Sequence, residues 1–146
     1  MNAFDPAAHG WRALPAAAMP GSLGVPWAKK VDGQWHYGLL TGPEHTNPNG
    51  VVHGGVLMAF ADHGLSMIAW EAAERAPCTT IQLNTHFLDA IRPGEFLELQ
   101  GEVTRRTRGL VFVRGRIVGH HDDAHHTEKL RDVGAVDGIW RILRSR

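Results

Sequence analysis

The residues able to do chemistry are concentrated in one stretch. Asn47-Pro48-Asn49-Gly50-Val51-Val52-His53-Gly54-Gly55 is followed by Asp62, the only formally charged residue between Gly54 and Trp70. Apart from His63 and Ser66, the residues around Asp62 are apolar or small. That composition predicts a buried helix, in which an unpartnered carboxylate is strongly unfavourable. A buried acid of this kind either caps a neighbouring loop or serves catalysis, as a general base or as a nucleophile. The glycine pair stands where the helix begins, where backbone N–H groups lack intrahelical partners. With the helix dipole behind them, such groups can hold an anion or a developing oxyanion, and glycine leaves the approach open. A glycine pair also makes a plain turn, so both readings stand at this point.

The bulk properties narrow the function classes. A chain of 146 residues is long enough for one domain with a proper core. Lysine plus arginine equals aspartate plus glutamate, for a formal net charge of zero. That argues against a general nucleic-acid binder and favours self-association. The single Cys78 cannot make an internal disulfide and fits a reducing cytoplasm. The first residues lack a basic region followed by an apolar run, so no signal peptide is expected. Gly54–Trp70 is too short for a membrane span and carries Asp62 and His63. A cytoplasmic protein without membrane association is the expectation.

Periodicity then supplies the elements that must position these groups. Residues 1–31 hold Pro6, Pro15, Pro20 and Pro26 and read as a short helix or irregular arm ahead of a domain spanning 32–146. Gln34–Thr41 reads as the first strand and Gly42–Gly50 as a loop. The helix is expected from about Gly54 to about Arg75, with Pro77 ending it. Leu57, Phe60, Ala61, Gly64, Leu65, Ile68 and Ala72 form its core stripe. Ala59, Asp62, Ser66, Ala69 and Ala73 form a second face of small residues, open to another surface or a ligand. Four strands follow: Thr79–Leu88, Phe96–Val103, Leu110–Val118 and Arg131–Leu143. In the first of these, alternation puts Ile81, Leu83, Thr85 and Phe87 on one face. The fold class is α+β, an antiparallel sheet covered by one long helix.

The run Glu44 to Gly55 with Asp62, then Thr80-Ile81-Gln82-Leu83-Asn84-Thr85-His86-Phe87-Leu88 and Arg92-Pro93-Gly94-Glu95, resembles the hotdog-fold acyl-CoA thioesterases of the phenylacetate-degradation type. The resemblance runs from about Thr41 to about Val118 and less clearly to Trp140. It implies a sheet wrapped around a central helix and hydrolysis of acyl-CoA to free acid and CoA. It also implies an oxyanion contact at Gly54 and an asparagine, Asn47, at the water or the thioester. His53 lies beside the glycines, and Thr80 is a hydroxyl residue near the acid. It further implies a site at a dimer interface: Asp62 and Thr80 of one subunit face Asn47, His53 and Gly54 of the other, in a homodimer or homotetramer. No cofactor or metal is implied; coenzyme A enters as part of the substrate. The chemistry agrees, because a thiol of pKa roughly 8.5 leaves without strong acid help, so one carboxylate suffices.

Several roles stay open on the sequence. Asp62 either activates water or attacks the carbonyl. His53 either orients its loop or shapes the thioester site. By strand parity Thr79, not Thr80, belongs with Ile81 and Leu83, unless a bulge intervenes. Arg105, Arg106 and Arg108 beside Gly109 suit the phosphates of coenzyme A or are ordinary hairpin arginines, and Arg92 is a weaker candidate of the same kind. His120–His126 reads as a solvated loop rather than a metal site. Trp70 lines an acyl pocket or packs in the core. Two rival functions remain: a non-catalytic acyl-CoA-binding module and a hotdog dehydratase.

Overall fold

The computed structural model describes residues 4–15, 19–122 and 128–144. One helix, α1 (Gly54–Ala72), packs against an antiparallel sheet. The strands are β1 (Arg12–Ala13), β2 (Pro26–Val31), β3 (Gln34–Leu40), β4 (Cys78–Phe87), β5 (Phe96–Arg106), β6 (Leu110–Asp122) and β7 (Glu128–Ile142). Their order across the sheet is β1-β2-β3-β5-β6-β7-β4, so β4, which follows the helix in sequence, lies at an edge. The sheet wraps the helix, as the hotdog fold requires.

The core lies between helix and sheet. Leu57, Phe60, Ala61 and Leu65 of α1 meet Leu97, Leu99, Val111, Val113, Ile117 and Trp140, all buried. Glycine decides how closely the layers approach. A Cβ on Gly64 would come within 2.9 Å of Leu99. On Gly101 it would come within 2.7 Å of Ile68, and on Gly115 within 3.3 Å of Leu65. These three positions let α1 sit down on β5 and β6.

The helix ends earlier than its composition predicts. Ala73 is the C-cap, and Glu74 and Arg75 take left-handed φ values of 56° and 66°. The turn therefore comes before Pro77, and Arg75 reaches back to Glu71 from outside the helix, at 3.5 Å. Two of the five residues expected on an open small-residue face, Ala69 and Ala73, are buried. Ala59, Asp62 and Ser66 remain partly exposed.

The stretch expected to be an arm contributes two strands. Pro26 opens β2, where a missing N–H is tolerated. Val31 pairs with Gln34 around Asp32-Gly33, both with positive φ (49° and 80°). This is the two-residue Asp-Gly hairpin turn. The expected boundary at residue 31 thus falls inside a hairpin. Further upstream, Phe4 stacks on Phe96 at 4.9 Å and Trp11 meets its edge at 4.8 Å. This N-terminal segment covers the sheet face opposite the helix.

Beneath it lies a buried polar cluster. Glu98 alternates with Leu97 and Leu99 and so points away from the helix. Its carboxylate accepts hydrogen bonds from His36 Nδ1 and His120 Nε2, each at 2.5 Å, and from Gln100 Nε2 at 3.2 Å. Burial alone would raise its pKa, but the bonds from His120 and His36 outweigh that and hold it at about 2, against an ordinary 4.5. A depressed carboxylate stabilises the fold fully above the unfolded value and loses that contribution as pH falls through the folded one. Between pH 4.5 and 2 the thermal midpoint of the wild type is therefore expected to fall more steeply than that of Glu98→Gln. Parallel melting profiles of the two proteins in that window would contradict the assignment.

Candidate active site

Asp62 lies in the middle of α1, and its carboxylate is not buried in the single subunit. The buried ion inferred from composition is thus a partly exposed one. It lines a groove of about 440 Å³ between the helix and Pro20, together with Ala59, His63, Ser66, Met67, Trp70 and Cys78.

Thr80 donates a hydrogen bond from Oγ1 to Asp62 Oδ1 at 2.6 Å. The parity objection is met by a bulge: Thr80 pairs with Trp140 and Gln82 with Ile139, leaving Ile81 as the extra residue. Thr80 therefore turns inward, while Ile81 is 52% exposed. Beyond the bulge Leu83 and Thr85 are partly buried and Phe87 lies over Gly54, so these three keep the common face predicted for them and only Ile81 leaves it. Among the described residues Asp62 Oδ2 has no hydrogen-bond partner and is available to water or substrate. Beside it, Ser66 Oγ accepts from Trp140 Nε1 at 2.8 Å, which fixes the groove floor.

The other half of the motif sits at the start of the helix. His53 is the N-cap, and its Nδ1 accepts from the Gly55 N–H at 2.9 Å. That bond places the ring proton on Nε2 of a neutral imidazole. Gly54 is the first helical residue, and no hydrogen bond among the described residues uses its N–H. The loop before it is held by Asn47. Its Oδ1 accepts from the Asn49 N–H at 2.9 Å, and its N–H donates to Val51 O at 2.8 Å. Over Gly54 opens an apolar notch of about 360 Å³, lined by Val52, Leu57, Phe87, Leu88 and Ile91.

These halves do not meet within one subunit. Gly54 and Asp62 are eight positions apart on one helix. At about 1.5 Å per residue that is roughly 12 Å along the axis. No single carbonyl can touch both.

Residues 49–123, just over half of the chain, match the family model of the thioesterase superfamily. The chain belongs to the thioesterase superfamily. As a member it is a thioester hydrolase, of the phenylacetate-degradation hotdog type. A Pseudomonas aeruginosa protein, PA0474, described as a candidate esterase, is 28% identical over 100 residues, which are 68% of each chain. A phenylacetic acid degradation-related thioesterase structure from Ralstonia eutropha aligns over 97% of this chain and 100% of its own, at 26% identity and a TM-score of 0.67. The hexameric broad-specificity acyl-coenzyme A thioesterase HI0827 aligns over 74% of this chain and 78% of its own, at 18% identity and a TM-score of 0.69. At that identity the last bears on the fold alone.

The remaining candidates of the thioesterase are scattered. Arg105, Arg106 and Arg108 are exposed at the β5–β6 hairpin with Gly109. Burial pushes the Cys78 thiol up, and the Arg106 charge opposes it. Arg108 offers its backbone oxygen to Arg144. Trp70 lines the groove, under the Arg75 guanidinium at 5.3 Å. Of the His120–His126 segment, residues 123–126 lie outside the described residues. Among the described residues no cluster of histidine, cysteine and carboxylate suits a metal ion, and no helix is long and apolar enough to cross a membrane. Sequence reasoning missed Pro20, Met67 and Cys78, which come from three separate segments and share no motif.

Proposed function

We propose that this protein hydrolyses acyl-CoA thioesters at a site shared by two copies of the chain. The observation that carries the reading is the separation of the two halves: a free carboxylate oxygen at Asp62 and a free N–H at Gly54, roughly 12 Å apart along one helix axis. A second copy in the opposite orientation brings its Gly54 to the first copy's Asp62. The thioester carbonyl then sits between them. Asp62 either removes a proton from water as it attacks or attacks the carbonyl itself to give an anhydride that water opens. In both routes the oxyanion forms against the Gly54 N–H, and its collapse breaks the C–S bond and releases the thiolate. Thr80 holds Asp62 with one oxygen toward the substrate, His53 holds the Gly55 N–H, and Asn47 shapes the approach to Gly54.

The surface supports self-association. β4 is a sheet edge with unpaired backbone groups, and Phe87 and Leu88 beside it are more than half exposed. A dimer is the minimum assembly, and a pair of dimers is compatible with it. Coenzyme A enters as part of the substrate, so the reaction asks for no cofactor. The purified chain is expected to release free thiol from at least one member of a panel of short, aryl and long acyl-CoA thioesters. Tight acyl-CoA binding without thiol release across the panel would show a binding module instead.

A further inference from the structure

The notch over Gly54 owes much of its wall to residues 88–95, the loop that joins β4 to β5. Leu88, Asp89, Ala90 and Ile91 line the notch together with Val52, Gly54 and Leu57. The loop is also tied to the motif directly. Its Ile91 carbonyl oxygen accepts the Val52 N–H at 2.8 Å, one residue before the N-cap His53. The place of this loop therefore sets how the backbone enters α1 and how much room lies over the Gly54 N–H.

Residues 88–95 form no helix or strand, so a few contacts hold them. At the start of the loop the Leu88 N–H donates to Val133 O at 3.0 Å. At its end Glu95 O accepts from the Thr41 N–H at 3.0 Å and from Thr41 Oγ1 at 2.7 Å. Between these points one side chain of β7 does the holding. Arg131 Nε donates to Asp89 Oδ2 at 3.0 Å, and Nη1 and Nη2 donate to the two Glu95 carboxylate oxygens at 3.0 and 3.1 Å. Nη2 also donates to Ala90 O at 2.5 Å. Glu95 is buried, so its charge needs a partner. Neutralising it would take only one of these bonds. The planar fork instead gathers three residues of the loop, and two of them, Asp89 and Ala90, line the notch.

Resting on the reading above, we propose that Arg131 is a positioning residue for thioester hydrolysis: it holds the 88–95 loop against Val52 and so fixes the Gly54 N–H where the oxyanion forms. It acts through the loop and not on the substrate. Arg131 lies outside the residues matched by the family model and far along the chain from the motif it serves. The demand on such a residue is strict, because a misplacement of about 1 Å at a reacting centre costs on the order of a hundredfold in rate.

Arg131→Ala would leave the buried Glu95 carboxylate without a partner, which is strongly destabilising, so two other variants of the full chain carry the test. Arg131→Lys keeps a charge for Glu95, but one ammonium does not reproduce the fork that spans Asp89, Ala90 and Glu95. Arg131→Met combined with Glu95→Gln removes the arginine without stranding an ion. In both, amide hydrogen exchange at Val52 is expected to quicken about tenfold while the β5 and β6 amides keep their wild-type rates. With an acyl-CoA substrate, kcat should fall about tenfold and KM stay within about threefold, because the oxyanion contact forms only on the way to the transition state. Wild-type exchange at Val52 in both folded variants would overturn the proposal whatever their activity. So would faster exchange spread evenly over β5 and β6, which marks a general loss of stability, or a loss of kcat/KM carried by KM alone. Should the wild type hydrolyse no acyl-CoA while Val52 exchange quickens in both variants, the tie from Arg131 to the motif stands and the acyl-CoA reading falls.

Discussion

Asp62→Asn is expected to fold as the wild type does and to lose about a thousandfold in kcat for thioester hydrolysis, within the range a positioned general base contributes. The fold should survive for three reasons. Asparagine is nearly isosteric with aspartate. The carboxylate is only partly buried in the subunit, so removing its charge relieves no large desolvation cost. The amide oxygen still accepts from Thr80 Oγ1, as Oδ1 does now at 2.6 Å. What disappears is the basic, unpartnered second oxygen, replaced by an NH2 that can neither take a proton from water nor attack a carbonyl. Stability should stay within about 1 kcal/mol, as for substitutions that create no cavity or unpaired buried group. Thermal melting and a thiol-release assay check both halves of the expectation. Turnover near the wild-type level in a folded variant would remove Asp62 from the mechanism.

How much of this was legible in the sequence depends on the element. The helix start was readable to the residue, because His53-Gly54-Gly55 marks a cap followed by an apolar run. The four strands after it were readable because alternation survives along β5 and β6, although β5, β6 and β7 all extend further than predicted. The bulge at Ile81 was not readable, since one extra residue reverses parity without changing composition. β2 was missed because Pro26 and two lysines look like an exposed arm, yet the Asp32-Gly33 turn signal was present. Asp62 was readable as a chemical residue but for a reason the structure revises. Its helix is apolar, yet among the described residues this face opens on a groove bordered by Pro20 and Cys78. The groove was beyond a linear reading, because it joins segments far apart in the chain.

The shared site makes a second prediction with an all-or-none outcome. Gly54→Val places side-chain carbons where the thioester carbonyl should approach the N–H. Already a Cβ there would lie 3.2 Å from the Phe87 ring, but that ring is 55% exposed and can swing aside, so the fold should tolerate the change. Alone, Gly54→Val and Asp62→Asn should each be nearly inactive, because every site in either homodimer lacks one half. Mixed through reversible unfolding or co-expression, they form heterodimers in which one site carries both defects and the other carries neither. Random pairing makes about half the dimers mixed, each with one good site of two, so about a quarter of wild-type activity should return. The same fraction holds for higher assemblies built from such dimers. If instead each subunit carried a complete site, no pairing could restore one, and the mixture would show only the sum of its inactive parents. Recovery therefore reports directly on whether the 12 Å gap along α1, estimated from about 1.5 Å of rise per residue, is bridged by a second chain.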